Sequence, residues 1–243
     1  MGNRILKIYN ASNLKELDNS TRVARYFSYE KLKDIVYNQR LYFCNCELFT
    51  DDNERKRIDR GRFKNSLASD IVIRITENLK SKCRAYVSCW TLFDSENVAL
   101  WKIYDKYSTG ACIVTTIGQL KEHLGQDTLI SKVIYEEKAI VPILDIEGVA
   151  SNYPSSEFFK IEPYFFEKEI RAVFYSKSHE NGIFRDINFA SLVDEVYLSP
   201  FASDKNLQKA KKILLSKIDN KKIRRSIVNE SKKVSKLQTG NRE

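Results

Sequence analysis

FFEKEIRAVFYSKSHENGIFRDI, residues 165–187, is the stretch that decides the fold class. Phe165 to Ser176 has the aromatic and β-branched character of a strand, and Ile183 to Ile187 is a second short run. Between them HENG, ending at Gly182, supplies a turn, so the two runs are expected to pair as a hairpin. A hairpin excludes a purely parallel doubly wound sheet. Outward from it, strands are expected at Arg22–Ser28, Leu41–Phe43, Tyr86–Leu92, Ala111–Ile117, Lys132–Glu136 and Val196–Ser199. Helical spacing is expected at 29–38, where Leu32, Ile35 and Val36 form one stripe, and near 66–78, 139–146 and 204–218. A further helix, capped by Ser95 and stopped by Gly110, carries Val98, Trp101 and Tyr104.

The expected class is therefore α+β: a single domain with a mixed, twisted or split β-sheet flanked by helices. Residues 1–20 are expected to form a polar N-terminal segment, 21–219 the domain and 220–243 a basic flexible tail. Hydrophobic residues make up 42% and charged residues 30% of the 243, which suits a soluble globular chain. No run approaches the roughly 18 apolar residues of a membrane span, and the N-terminus lacks a signal-peptide core. A cytoplasmic location is expected. The five cysteines include only a C-x-C pair, so reduced thiols are expected and no metal is called for.

Charge is unevenly spread. Residues 205–243 hold 13 of the 41 Lys/Arg but 3 of the 32 Asp/Glu, leaving 28 basic and 29 acidic residues elsewhere. Any electrostatic partner, DNA or RNA, is therefore expected at the tail, through Lys209, Lys212, Lys221, Lys222, Arg224 and Arg225. Arg55, Lys56 and Arg57 open a second basic run.

Common catalytic signatures are missing. There is no P-loop, no dinucleotide-binding fingerprint and no zinc-protease motif. The two histidines, His123 and His179, offer little for a triad. Carboxylates, arginines and aromatics remain. In a strand, Glu167, Glu169 and Arg171 share one face, with Ile170, Ala172 and Phe174 on the other. Such a row hydrogen-bonds sugar hydroxyls and stabilises a developing cation. Trp101 and Tyr104 are candidates to pack a planar ring, although that spacing equally describes a core stripe. Arg25 has the fork to hold a phosphate or ribose, with Tyr26 beside it.

The succession RYFSYEKLKDIVYNQRLYF, FTDDNE, YVSCWTL, VALWKIYDKYSTGACIV, VIYEEK, FFEKEIR and VYLSPFAS resembles the bacterial domain-of-unknown-function family 2971 across about residues 25–215. Phe49, Asp51 and Glu54 match that family's loop, whereas Thr50 and Asp52 replace its usual Asn and Pro. Trp101, Tyr104 and Gly110 match, as do Glu167, Glu169 and Arg171. The layout is similar to that of ADP-ribosyltransferases, which implies NAD as substrate and a bacterial defence or toxin setting. The resemblance implies that Glu169 binds the nicotinamide ribose and Glu167 orients the acceptor. Arg25, Tyr26, Trp101, Tyr104 and Arg171 would then hold the cofactor. Two alternatives stand beside this reading. One is a nucleic-acid or nucleotide-binding module without turnover. The other is a Mg²⁺-dependent nuclease built on Asp51, Asp52, Glu54, Glu167 and Glu169.

Overall fold

The computed structural model describes residues 17–49, 83–105, 107–136 and 156–228. The helices expected near 66–78 and 139–146, the residues Asp51, Asp52 and Glu54, and the basic residues Arg55, Lys56 and Arg57 lie outside them. The architecture is α+β, with a mixed, mostly antiparallel sheet. The chain divides into two compact units, and it enters each more than once. One holds Asn19–Leu41, Thr91–His123 and the chain from Asp186 on; the other holds Tyr42–Trp90 and Leu124–Arg185. We call them the Tyr26 unit and the Glu169 unit. Among the described residues, no helix is long and apolar enough to cross a membrane.

In the Tyr26 unit, β1 (Arg22–Phe27) pairs antiparallel with β4 (Ala111–Thr116), from Arg22 opposite Thr116 to Phe27 opposite Ala111. Its start also meets the end of β3 (Arg84–Leu92), Val23 lying opposite Leu92. On the other side of β4 runs β10 (Glu195–Leu198), antiparallel. Helix α1 (Tyr29–Asn38) buries Leu32, Ile35 and Val36, the stripe its spacing predicts. Helix α2 (Val98–Tyr104) is capped by Asn97, whose side chain accepts from the N–H groups of Ala99 and Leu100. Ser95 does not take that role, because the cap must sit immediately before the first helical residue. Gly110 lies beyond the helix, which ends at Asp105. Its hydrogen in place of a side chain lets the Phe27 carbonyl approach; a Cβ there would overlap that oxygen. Helices α3 (Ile117–Leu124), α4 (Phe189–Leu192) and α5 (Asp204–Leu215) complete the unit, α5 being capped by the Ser203 hydroxyl.

Regular structure continues past the expected boundary at residue 219. A 3-10 turn at Asn220–Lys222 leads into β11 (Ile223–Arg225), which pairs parallel with β10. Neighbouring side chains hold it. Lys222 Nζ donates to the carbonyls of Ala190 and Val193, and Arg224 pairs with Glu195. A segment with little apolar surface of its own is thus ordered by backbone pairing and by carbonyls that accept its cations.

In the Glu169 unit the strand order is β5-β8-β3-β2-β9, with β2 at Arg40–Asn45, β5 at Leu129–Lys132, β8 at Glu169–Ser176 and β9 at Gly182–Asp186. A parallel pair, β6 (Ile134–Glu136) and β7 (Phe159–Ile161), stands beside it. The expected hairpin is therefore absent: β8 and β9 are separated by β3 and β2. The connection is stretched across those two strands and tied to each in turn. Tyr86 on β3 donates its hydroxyl to the carbonyls of Ser178 and Glu180. Asn45 on β2 then donates to Glu180 and Asn181. Gly182 belongs to β9 rather than to a tight turn. There it leaves room for the Tyr42 ring, which a Cβ would overlap.

Candidate active site

The EKEIR motif straddles the start of a strand, with Glu167 and Lys168 outside it. Glu162–Glu167 forms a 3-10 helix with a proline in its first turn, and Lys168 follows in the left-handed conformation at φ 43°. Proline fixes the entry to the turn, and the left-handed residue ends it, so β8 opens only at Glu169. Glu167 accordingly reaches Glu169 by the reversal at Lys168 rather than by strand alternation. The alternation itself fails along β8, because Glu169 to Phe174 are all buried. One face carries Ile170, Ala172 and Phe174, as expected. The opposite face, with Glu169, Arg171 and Val173, is covered as well. Phe158 packs on Val173, and Phe49 lies 5.4 Å from the Arg171 guanidinium.

Burying charge requires partners, and the cluster supplies them. Arg171, 1% exposed, forks onto Glu169, its Nε 2.9 Å from Oε1 and Nη2 3.0 Å from Oε2. Its remaining Nη1 donates to the Glu157 carbonyl at 2.6 Å. Lys160 on β7 bridges the two carboxylates, with Nζ 2.9 Å from Glu167 Oε2 and 3.4 Å from Glu169 Oε2. The Glu169 N–H donates to the Tyr135 hydroxyl oxygen at 2.8 Å. Tyr175 donates to Glu157 at 3.3 Å.

The two carboxylates are driven in opposite directions. Burial raises Glu167, and Lys160 only partly offsets it, so Glu167 lies above the usual carboxylate range. Burial also acts on Glu169, but the Arg171 guanidinium and Lys160 together outweigh it and hold Glu169 below that range. Burial pushes the Tyr135 phenol up to about 12. Two neighbouring carboxyls whose surroundings push them in opposite directions are the arrangement from which distinct acid and base roles are built. Phe165 and Phe166 are exposed on the same turn that ends in Glu167, and Tyr164 lies 4.5 Å from Lys160 Nζ.

Sequence reasoning singled out Glu167, Glu169 and Arg171, and the structure brings these three together. It missed Lys160, Glu157 and Tyr135. Lys160 precedes Glu167 by 7 positions and Tyr135 precedes Glu169 by 34, and in each pair the two residues belong to different elements, so no local periodicity links them. The one available signal was Lys160 itself, a cation flanked by Phe159 and Ile161 in a short apolar run.

The cofactor candidates Arg25, Tyr26, Trp101 and Tyr104 all fall in the other unit. Trp101 is fully buried, donates Nε1 to Glu96 at 3.0 Å and meets Tyr26 edge-on at 4.9 Å. Tyr26 accepts from the Asn97 N–H at 2.8 Å, and burial, then the Cys112 thiol, raises its phenol. Both rings are core components, packed with Leu100, Cys112 and Val114. Tyr104, the last residue of α2, is exposed even though its i, i+3 spacing from Trp101 would let the two share a face. Arg25 lies 5.2 Å from the ring of Phe27.

Of the proposed phosphate contacts, Lys222 and Arg224 are occupied internally, as described above. Lys209 and Lys212 on α5, with Lys221 and Arg225, are exposed. Lys221 lies 3.9 Å from Asp219. Among the described residues, no group of three or more His, Cys, Asp or Glu is arranged to hold a metal ion. No protein-family model, curated protein or solved structure matches the chain.

Proposed function

We propose that the Glu169 unit carries an NAD-dependent ADP-ribosyl-transfer site, in the effector setting that the family resemblance implies. One observation carries this reading: Lys160 bridges two carboxylates of opposite pKa direction on a turn that also exposes Phe165 and Phe166. Departure of nicotinamide leaves an oxocarbenium-like sugar, which a fixed anion stabilises. Glu169 has both oxygens engaged by Arg171 and Lys160, so its role is positioning. Glu167, more exposed than Glu169, is the group that meets the ribose hydroxyl and, in its ionised form, takes the acceptor proton. The exposed phenylalanines provide the faces on which a nicotinamide or adenine ring stacks. Tyr26 and Trp101, packed in the core, have no part in this assignment.

The test is nicotinamide release from NAD by the full chain. Wild type is expected to turn over, and Glu167→Gln to lose about 10²-fold or more in rate while retaining native circular dichroism. Folded wild type without turnover or NAD binding, or a fully active Glu167→Gln, would end the assignment.

A second reading rests on a separate observation. Lys209, Lys212, Lys221 and Arg225 are exposed in the C-terminal segment. A nucleic-acid backbone bound there would release counterions and weaken with salt at a log–log slope of about −0.7 to −0.9 per phosphate neutralised. Truncation after Asn220 removes β11 along with Lys221 and Arg225, so the substitution of Lys209 and Lys212 is the cleaner test.

A further inference from the structure

His123 and Ser191 are 68 residues apart in the sequence, and the fold joins them. His123 sits in the last turn of α3, with Nδ1 2.8 Å from the Gln119 carbonyl and Nε2 2.9 Å from Ser191 Oγ. A carbonyl only accepts, so in the neutral ring Nδ1 carries the hydrogen and Nε2 is left as an acceptor. The Ser191 O–H therefore has Nε2 as its nearer acceptor, the Asn188 carbonyl being farther at 3.2 Å. This is a nucleophile, a base within hydrogen-bond reach, and an orienting group behind the base. Ser191 is exposed on α4. Lys222 adds a cation: its Nζ donates to Ala190 O at 2.8 Å, on the peptide that links Ala190 to Ser191. Two of its three N–H groups are used by Ala190 and Val193.

We propose that Ser191 and His123 form a nucleophilic dyad that accepts acyl groups from activated esters, independently of the glutamate site. Ser191 Oγ attacks the ester carbonyl carbon while its proton passes to His123 Nε2. The carbon–oxygen bond to the leaving alcohol breaks, and the alkoxide takes the proton from Nε2. Water then repeats the sequence, releasing the acid and restoring the serine. The Lys222 ammonium lowers the energy of the tetrahedral oxyanion through its field.

The experiment uses a fluorophosphonate probe, which loses fluoride to form a serine adduct, together with p-nitrophenyl acetate as a turnover substrate. Peptide mass analysis of the full chain is expected to place the adduct on Ser191. His123→Gln removes the base and is expected to slow labelling and turnover about 10²-fold or more. Ser191→Ala is expected to abolish both. A wild type that labels no faster than Ser191→Ala, an adduct on another residue, or undiminished labelling of His123→Gln would each overturn the proposal. Ser191 lies at the surface, and the wild-type labelling stands whether or not either variant folds.

Discussion

The Glu169 unit and the Tyr26 unit each contain a cluster that polar and aromatic residues share, yet the two are built oppositely. In the Glu169 unit, ionised groups are buried and satisfy one another: Arg171 and Lys160 face Glu169, Glu167 and the Glu157 carbonyl. In the Tyr26 unit, apolar rings are packed, and their polar tips find neutral or surface partners, Trp101 with Glu96 and Tyr26 with Asn97 and Cys112. The first kind of cluster is held by charges that each depend on the others, and the second by volume. A buried ion pair contributes little net stability but is costly to break on one side. A packed ring stabilises by the area it removes from water and leaves a cavity when it is cut.

The comparison would break first under single truncations. Arg171→Ala strands Glu169 without its main counter-ion and should cost about 3–5 kcal/mol. Trp101→Ala should cost a similar 3–5 kcal/mol through cavity formation. The two are told apart by rescue. Joining Arg171→Met with Glu169→Leu should recover much of the loss, because an apolar pair of similar volume tolerates the site. No charge change should recover Trp101→Ala. Urea unfolding midpoints decide both, and failure of the double variant to recover would remove the charge-pair account.

Gly110→Ala is the next largest. Its Cβ would overlap the Phe27 carbonyl oxygen, which is backbone and has little room to yield, so roughly 1–3 kcal/mol is expected. A neutral result in thermal unfolding would show that β1 shifts at no cost.

The pH dependence sharpens the contrast within the Glu169 unit. Glu169 is depressed in the fold, so its contribution is present above the usual carboxylate range and lost as pH falls through its folded value. Glu167 is raised, so the reverse holds: its ionisation weakens the fold as pH climbs from the usual range through its raised value. Glu167→Gln should therefore improve in relative stability as pH rises upward from the usual carboxylate range. A stability difference from wild type that stays flat over that rise would mean the two carboxylates are not pushed apart.

The smallest effect on stability is expected at the surface. Lys209→Gln with Lys212→Gln should move stability by less than about 0.5 kcal/mol, while flattening the salt dependence of oligonucleotide binding by as much as about 1.8 in log–log slope. An unchanged slope would leave these lysines as solvated helix residues.

Periodicity carried the α1 stripe, the succession of short strands and the α+β class, because these depend on neighbours along the chain. The grouping of Glu167, Glu169 and Arg171 was legible for the same reason, though the reversal at Lys168 produces it in place of the expected strand. Tertiary structure decided what has no local signature. It carried β9 past β3 to β2, because Tyr86 and Asn45 capture the connecting carbonyls. It also placed Lys160 between two carboxylates, ordered β11 against β10, and set His123 against Ser191. Each of these joins residues far apart in sequence. Their energy comes from desolvated charges and backbone groups that must find partners, and which partner is within reach is known only once the chain has closed.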